Sequence, residues 1–195
     1  MQLVGVYPIR CLGRRFLQSG LTAALLLVLA TAPIARAQTT ITWGGGSASW
    51  NTGVNWTGSV LPGLIDTAQI TTGNASVDSN VSIAALQLSG GSISGLANLT
   101  LTGSGSTWTA GNWNSAGSTT IGTNATLTVS SGNDHDYLSR AIVNNGTVNW
   151  TGGQLRTGDG GTITNNGQWN DSAPLSFHKN VAPGLSAFKF GVAAF

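Results

Sequence analysis

Ile121-Gly-Thr-Asn124-Ala-Thr-Leu127-Thr-Val129, Ile142-Val-Asn-Asn145-Gly-Thr-Val148-Asn-Trp150 and Ile163-Thr-Asn-Asn166-Gly-Gln-Trp169-Asn-Asp171 are three copies of one pattern. Isoleucine, asparagine and the next apolar residue each return about every 21 residues, with no insertion between copies. A second match lies two periods apart, between Trp108-Thr-Ala-Gly111-Asn-Trp113 and Trp150-Thr-Gly-Gly153-Gln-Leu155. Within each copy, apolar and polar residues alternate over short runs broken by Gly and Asn. That is the chemistry of strands punctuated by turns.

A period near 21 suits one coil of a parallel β-helix, built from two or three short strands with their apolar side chains turned inward. The spacing therefore predicts an all-β chain: a short right-handed parallel β-helix of about 21 residues per coil. Ile121, Ile142 and Ile163 would form one inward column, and Leu127, Val148 and Trp169 a second. Asn124, Asn145 and Asn166 are expected to turn corners, because Asn tolerates left-handed backbone, and to stack as a hydrogen-bonded ladder. A β-sandwich is the competing architecture, since it also spaces short strands regularly.

Upstream, Val81-Ser-Ile83, Leu86-Gln-Leu88, Ile93 and Leu99-Thr-Leu101 keep the alternation while the register slips. The repeats are thus assigned to 81–171, roughly four coils with ends that need cover. Residues 38–80 are the expected N-terminal cover, and they hold Trp43, Trp50 and Trp56 within fourteen positions. Such indoles can close the apolar end of the stack. Exposed instead, the same three residues would form a carbohydrate-binding platform.

The composition narrows the function. Charged residues make up 7% of the chain, and there is no Glu. Arg10, Arg14, Arg15 and Arg36 lie near the N-terminus, whereas all six Asp come later. Without that basic leader the net charge changes from +2 to −2, which argues against a nucleic-acid surface. The leader itself has the layout of a secretory signal over residues 1–37. Arg10, Arg14 and Arg15 precede an apolar run, Leu21 to Ala30, and Ala35-Arg36-Ala37 offers a cleavage site. The run is too short for a spanning helix, so no transmembrane helix is expected in the mature chain. Cys11 would leave with the leader, and the exported domain would contain no thiol.

The sequence gives little catalytic chemistry. His135 and His178 are the two histidines, and neither accompanies a nucleophile-elbow motif. Gly132-Asn-Asp134-His135-Asp136-Tyr137 reads as an outward loop that could hold a cation or present paired carboxylates. Its richness in turn formers favours a solvated loop. No catalytic residue, metal ligand set or cofactor is assigned.

The W-x(6)-W-x(4)-N-W-x(5)-P-x(3)-D-x-A pattern from Trp43, with the later N-G-T-x-N-W-T-G-G and T-I-x-N-N-G repeats, resembles bacterial autotransporter-like exported surface proteins. That resemblance implies a parallel β-helix passenger placed at the cell surface or outside the cell. A structural or adhesive role follows, with surface glycans or other copies of the chain as partners. The alternative is a carbohydrate-binding module or a segment of a carbohydrate-active enzyme. From Ser172 the Asn/Gly rhythm stops, and 172–195 reads as a divergent or truncated tail of a longer passenger.

Overall fold

The computed structural model describes residues 37–174 and the short strand Lys189–Phe190. From Thr40 the chain winds in successive coils. The first coil carries β1 (Thr40–Thr42) and β2 (Ser47–Ser49), and the second β3 (Thr67–Ile70), β4 (Asn74–Ser76) and β5 (Val81–Ile83). In the next two coils, one long strand carries the chain past the first corner. Thus β6 (Ala85–Ser94) precedes β7 (Asn98–Leu101), and β8 (Ser106–Trp113) precedes β9 (Ser118–Ile121). The fifth coil has β10 (Thr126–Val129), β11 (His135–Leu138) and β12 (Ala141–Asn144). The sixth has β13 (Thr147–Trp150), β14 (Leu155–Gly158) and β15 (Thr162–Asn165), onto which β16 (Gln168–Asp171) and β17 (Lys189–Phe190) pair.

One side of the stack runs β1-β3-β6-β8-β10-β13-β16, and another runs β5-β7-β9-β12-β15-β17. Between them lie β2 paired with β4, β4 paired in turn onto the end of β6, and the separate pair β11-β14. Adjacent strands are parallel throughout, as in β10 with β13 and β12 with β15. A sandwich would pair them antiparallel. The chain is a parallel β-helix. It starts earlier than the repeats suggested: β1 and β3 are already rungs of the first side, so residues 38–80 supply coils as well as the tryptophans.

The second predicted column forms as expected. Leu127 faces Val148, and Val148 faces Trp169. The isoleucine column is half right. Ile142 faces Ile163, but Ile121 faces Asn144, and the residue opposite Ile142 is Thr119. The cause is turn length. Four residues, 122–125, join β9 to β10, whereas two, 145–146, join β12 to β13. A shift of two keeps every side chain on its own face, so Ile121, Ile142 and Ile163 all remain buried.

The asparagines act differently from expectation. None of Asn124, Asn145 and Asn166 adopts positive φ; among the described residues, the non-glycine ones that do are Ser59, Ser115, Ser131, Ser139 and Asp159. The Asn-Gly corners instead need glycine for space. A Cβ on Gly146 would lie 2.2 Å from the Gly122 carbonyl oxygen in the coil below. The ladder exists in part, with Asn166 donating to Asn145 at 3.0 Å. A buried counterpart lies one residue earlier, where Asn144 donates to Asn165 Oδ1 at 2.6 Å and to the Gln168 carbonyl at 2.9 Å. Its own Oδ1 accepts from the Gly146 amide, so the inward amide is satisfied within the core.

A Trp-x-x-Gly corner recurs three times. The indole N–H of Trp43 donates to the Gly46 carbonyl, that of Trp108 to Gly111, and that of Trp150 to Gly153. The ring fills the core while its single donor ties down the following turn. Gly111 and Gly153 both turn through positive φ.

Candidate functional site

The segment predicted to loop outward is in fact a strand. His135–Leu138 pairs in parallel with Leu155–Gly158, placing His135 beside Leu155 and Asp136 beside Arg156. Alternation along β11 sends His135 and Tyr137 into the core and leaves Asp136 outside. His-Asp-Tyr-Leu carries no plain apolar/polar alternation in its residue types, although its burial alternates along the strand.

On the surface, Arg156 joins the two carboxylates. Its Nη1 donates to Asp134 Oδ2 at 2.5 Å, and its Nε and Nη2 grip Asp136 at 2.6 and 2.9 Å. The hydrogen bond to Asp136 leads the causes that raise the arginine pKa, with Coulombic attraction to both carboxylates adding to it. The guanidinium thus occupies the place a bound cation would take. These side chains are 50%, 40% and 22% exposed for Arg156, Asp134 and Asp136 respectively, so water screens the cluster. Arg156→Ala is expected to lower stability by no more than about 1 kcal/mol, read from urea unfolding.

His135 is fully buried, with the edge of its ring 63° to Trp108 at a centroid distance of 4.9 Å. Neither ring nitrogen has a hydrogen bond in good geometry. Burial lowers its pKa, against the opposing pull of Asp134, the Ser130 backbone and Asp136. The native ring is therefore neutral where the unfolded ring, near 6.5, begins to take a proton. Since the unfolded state binds more protons there, stability should fall as pH drops below 6.5, levelling off at the native pKa. The slope contributed is at most about 1.4 kcal/mol per pH unit. Urea midpoints between pH 7.5 and 5, expected to shift less in His135→Leu, check this; equal shifts in both proteins would refute it.

The three candidate tryptophans form no exposed platform. Trp43, Trp50 and Trp56 are 4%, 1% and 3% exposed. Trp56 lies between the others, edge-on to Trp43 at 4.9 Å and to Trp50 at 4.7 Å between ring centroids. Its indole N–H donates to the Trp50 carbonyl at 2.8 Å. A cavity of about 140 Å³ opens beside this cluster, and Trp43 is the one indole of the three that lines it. Burial removes the flat faces that a sugar ring would need. These residues close the first coil.

A further charged side chain, Arg140, is also fully buried. Its Nε donates to Thr119 Oγ1 at 2.8 Å and its Nη2 to the Ser118 carbonyl at 2.7 Å. Nothing in its sequence context marks it as a core residue. Among the described residues, no helix is long and apolar enough to cross a membrane. The predicted signal, 1–37, lies outside the described residues apart from its last position, as does most of the tail beyond residue 174. No family model, curated protein or solved structure matches this chain.

Proposed function

We propose that this chain is an exported, non-catalytic β-solenoid with a structural or adhesive role at the bacterial cell surface, forming a segment of a longer passenger. The observation that carries the reading is the internally paired polar cluster of β11 and β14. Asp134 and Asp136 are both held by Arg156, and the adjacent His135 is sealed in the core. The salt bridges of both carboxylates to Arg156 and the burial of His135 support a structural role for this cluster. The secretory layout of residues 1–37 and the absence of Cys beyond Cys11 support export.

Expression of the full chain in a Gram-negative host tests the proposal. The expected product starts at Gln38 by mass spectrometry and is digested by protease added to whole cells. An intact leader with cytoplasmic retention would overturn the location. Glycan cleavage lost in Asp134→Ala or Asp136→Ala would overturn the non-catalytic role.

A further inference from the structure

Two corners of the solenoid carry the same tripeptide, Asn144-Asn145-Gly146 at the end of β12 and Asn165-Asn166-Gly167 at the end of β15. They hold both Asn-Gly steps of the chain. Such a step is open to self-modification, because glycine has no Cβ to keep its backbone nitrogen from closing on the preceding side-chain amide. With the local sequence identical, a difference between the corners must come from the fold.

The fold separates them at the glycine amide. In the earlier corner the Gly146 N–H donates to Asn144 Oδ1 at 3.1 Å. In the later corner the equivalent oxygen, Asn165 Oδ1, receives Asn144 Nδ2 at 2.6 Å. Asn165 Nδ2 donates instead to the Gly167 carbonyl at 3.2 Å. The Gly167 N–H is left without a hydrogen bond among the described residues. Burial separates the corners too. Gly146 is buried and Asn145 half-buried, whereas Gly167 is half-buried and Asn166 exposed. Ring closure requires the peptide between Asn and Gly to swing toward the side chain. At Asn145 that motion first breaks the hydrogen bond to a buried amide oxygen.

We propose that Asn166 is a site of spontaneous deamidation and that the fold shields Asn145 from the same reaction. The Gly167 nitrogen attacks Cγ of Asn166. A C–N bond forms, the Cγ–Nδ2 bond breaks, and Nδ2 leaves as ammonia with the proton given up by the glycine amide. Water then opens the five-membered imide at either carbonyl. The products are aspartate and isoaspartate, in which the main chain runs through Cγ, and no electron is gained or lost. Either product puts a negative charge on a neutral corner and removes the donor that Asn166 gives to Asn145. The inference does not rest on the export or surface role proposed above.

Peptide mapping of the full chain tests it. Trypsin, cutting after Arg140, Arg156 and Lys179, puts Asn145 in 141–156 and Asn166 in 157–179, so each corner reports separately. Folded chain is held in warm, mildly alkaline buffer, and digests are read by mass spectrometry for a gain of about one dalton. Labelling by an isoaspartyl methyltransferase identifies the isoaspartate. The 157–179 peptide should convert about tenfold faster than 141–156, whereas in urea, which removes the fold, the two rates should agree within about a factor of two. Asn166→Gln lengthens the side chain beyond five-membered ring closure and should abolish the gain in 157–179, which excludes Asn165 and Asn170 as its source. A folded-state ratio below about twofold, or the same ratio in urea, would overturn the proposal. So would a folded chain that stays unmodified while the urea sample converts fully, or a gain that persists in Asn166→Gln.

Discussion

Trp56→Ala is expected to lower stability by about 3–5 kcal/mol and to unravel the first coils while the later ones stay wound. Trp56 is the centre of the cluster, in contact with both Trp43 and Trp50, and it is 3% exposed. Its removal opens a cavity under two other large rings and deletes the bond to the Trp50 carbonyl. The backbone gives little room for collapse. Trp43 and Trp56 form an antiparallel bridge, and the Gly44 amide donates to the Asn55 carbonyl at 2.7 Å, so the two segments are held at a fixed separation. In a solenoid each coil leans chiefly on its neighbours, which confines the damage to the affected end. Hydrogen exchange should show lost protection across Thr40–Ser76 with little change in β10, β13 and β16. Uniform loss along the whole stack, or a penalty below about 1 kcal/mol, would count against the tryptophans as the closure of this end.

How much could be read beforehand depended on whether a feature was periodic or a consequence of winding. The Leu127–Val148–Trp169 column was legible because β10, β13 and β16 repeat at one spacing. Ile121 was misplaced because the turn after β9 is longer than the turn after β12, and turn length leaves no mark in an apolar pattern whose parity is preserved. Likewise, the match of Trp108–Gly111 with Trp150–Gly153 was visible, yet Trp43–Gly46 makes the same corner outside the repeat. The burial of His135 could not be read because its inward direction is set by pairing with β14, twenty residues away.

Arg140→Met should be the other severe substitution, lowering stability by roughly 3–5 kcal/mol although the replacement is apolar and of similar length. In the native chain the guanidinium is sealed from water at a corner shared by three successive coils. Besides Thr119 and Ser118, its Nη1 approaches the carbonyls of Gly95 and Asn114, each at 3.4 Å. Burial pulls its pKa down to about 10, so it remains a cation at neutral pH. The charge is met by carbonyl and hydroxyl oxygens rather than by a carboxylate, and the arginine fork can reach several of them at once. Methionine would fill the space yet leave the Ser118 carbonyl and the Thr119 hydroxyl without their buried partner, which is where the penalty arises. Arg140→Lys separates charge from geometry. An ammonium keeps the charge but cannot present the planar fork, so it should recover only part of the loss. Urea midpoints in the order wild type, Lys, Met are expected. Full recovery by lysine would mean that charge alone secures the corner, and a methionine variant as stable as the wild type would refute the staple.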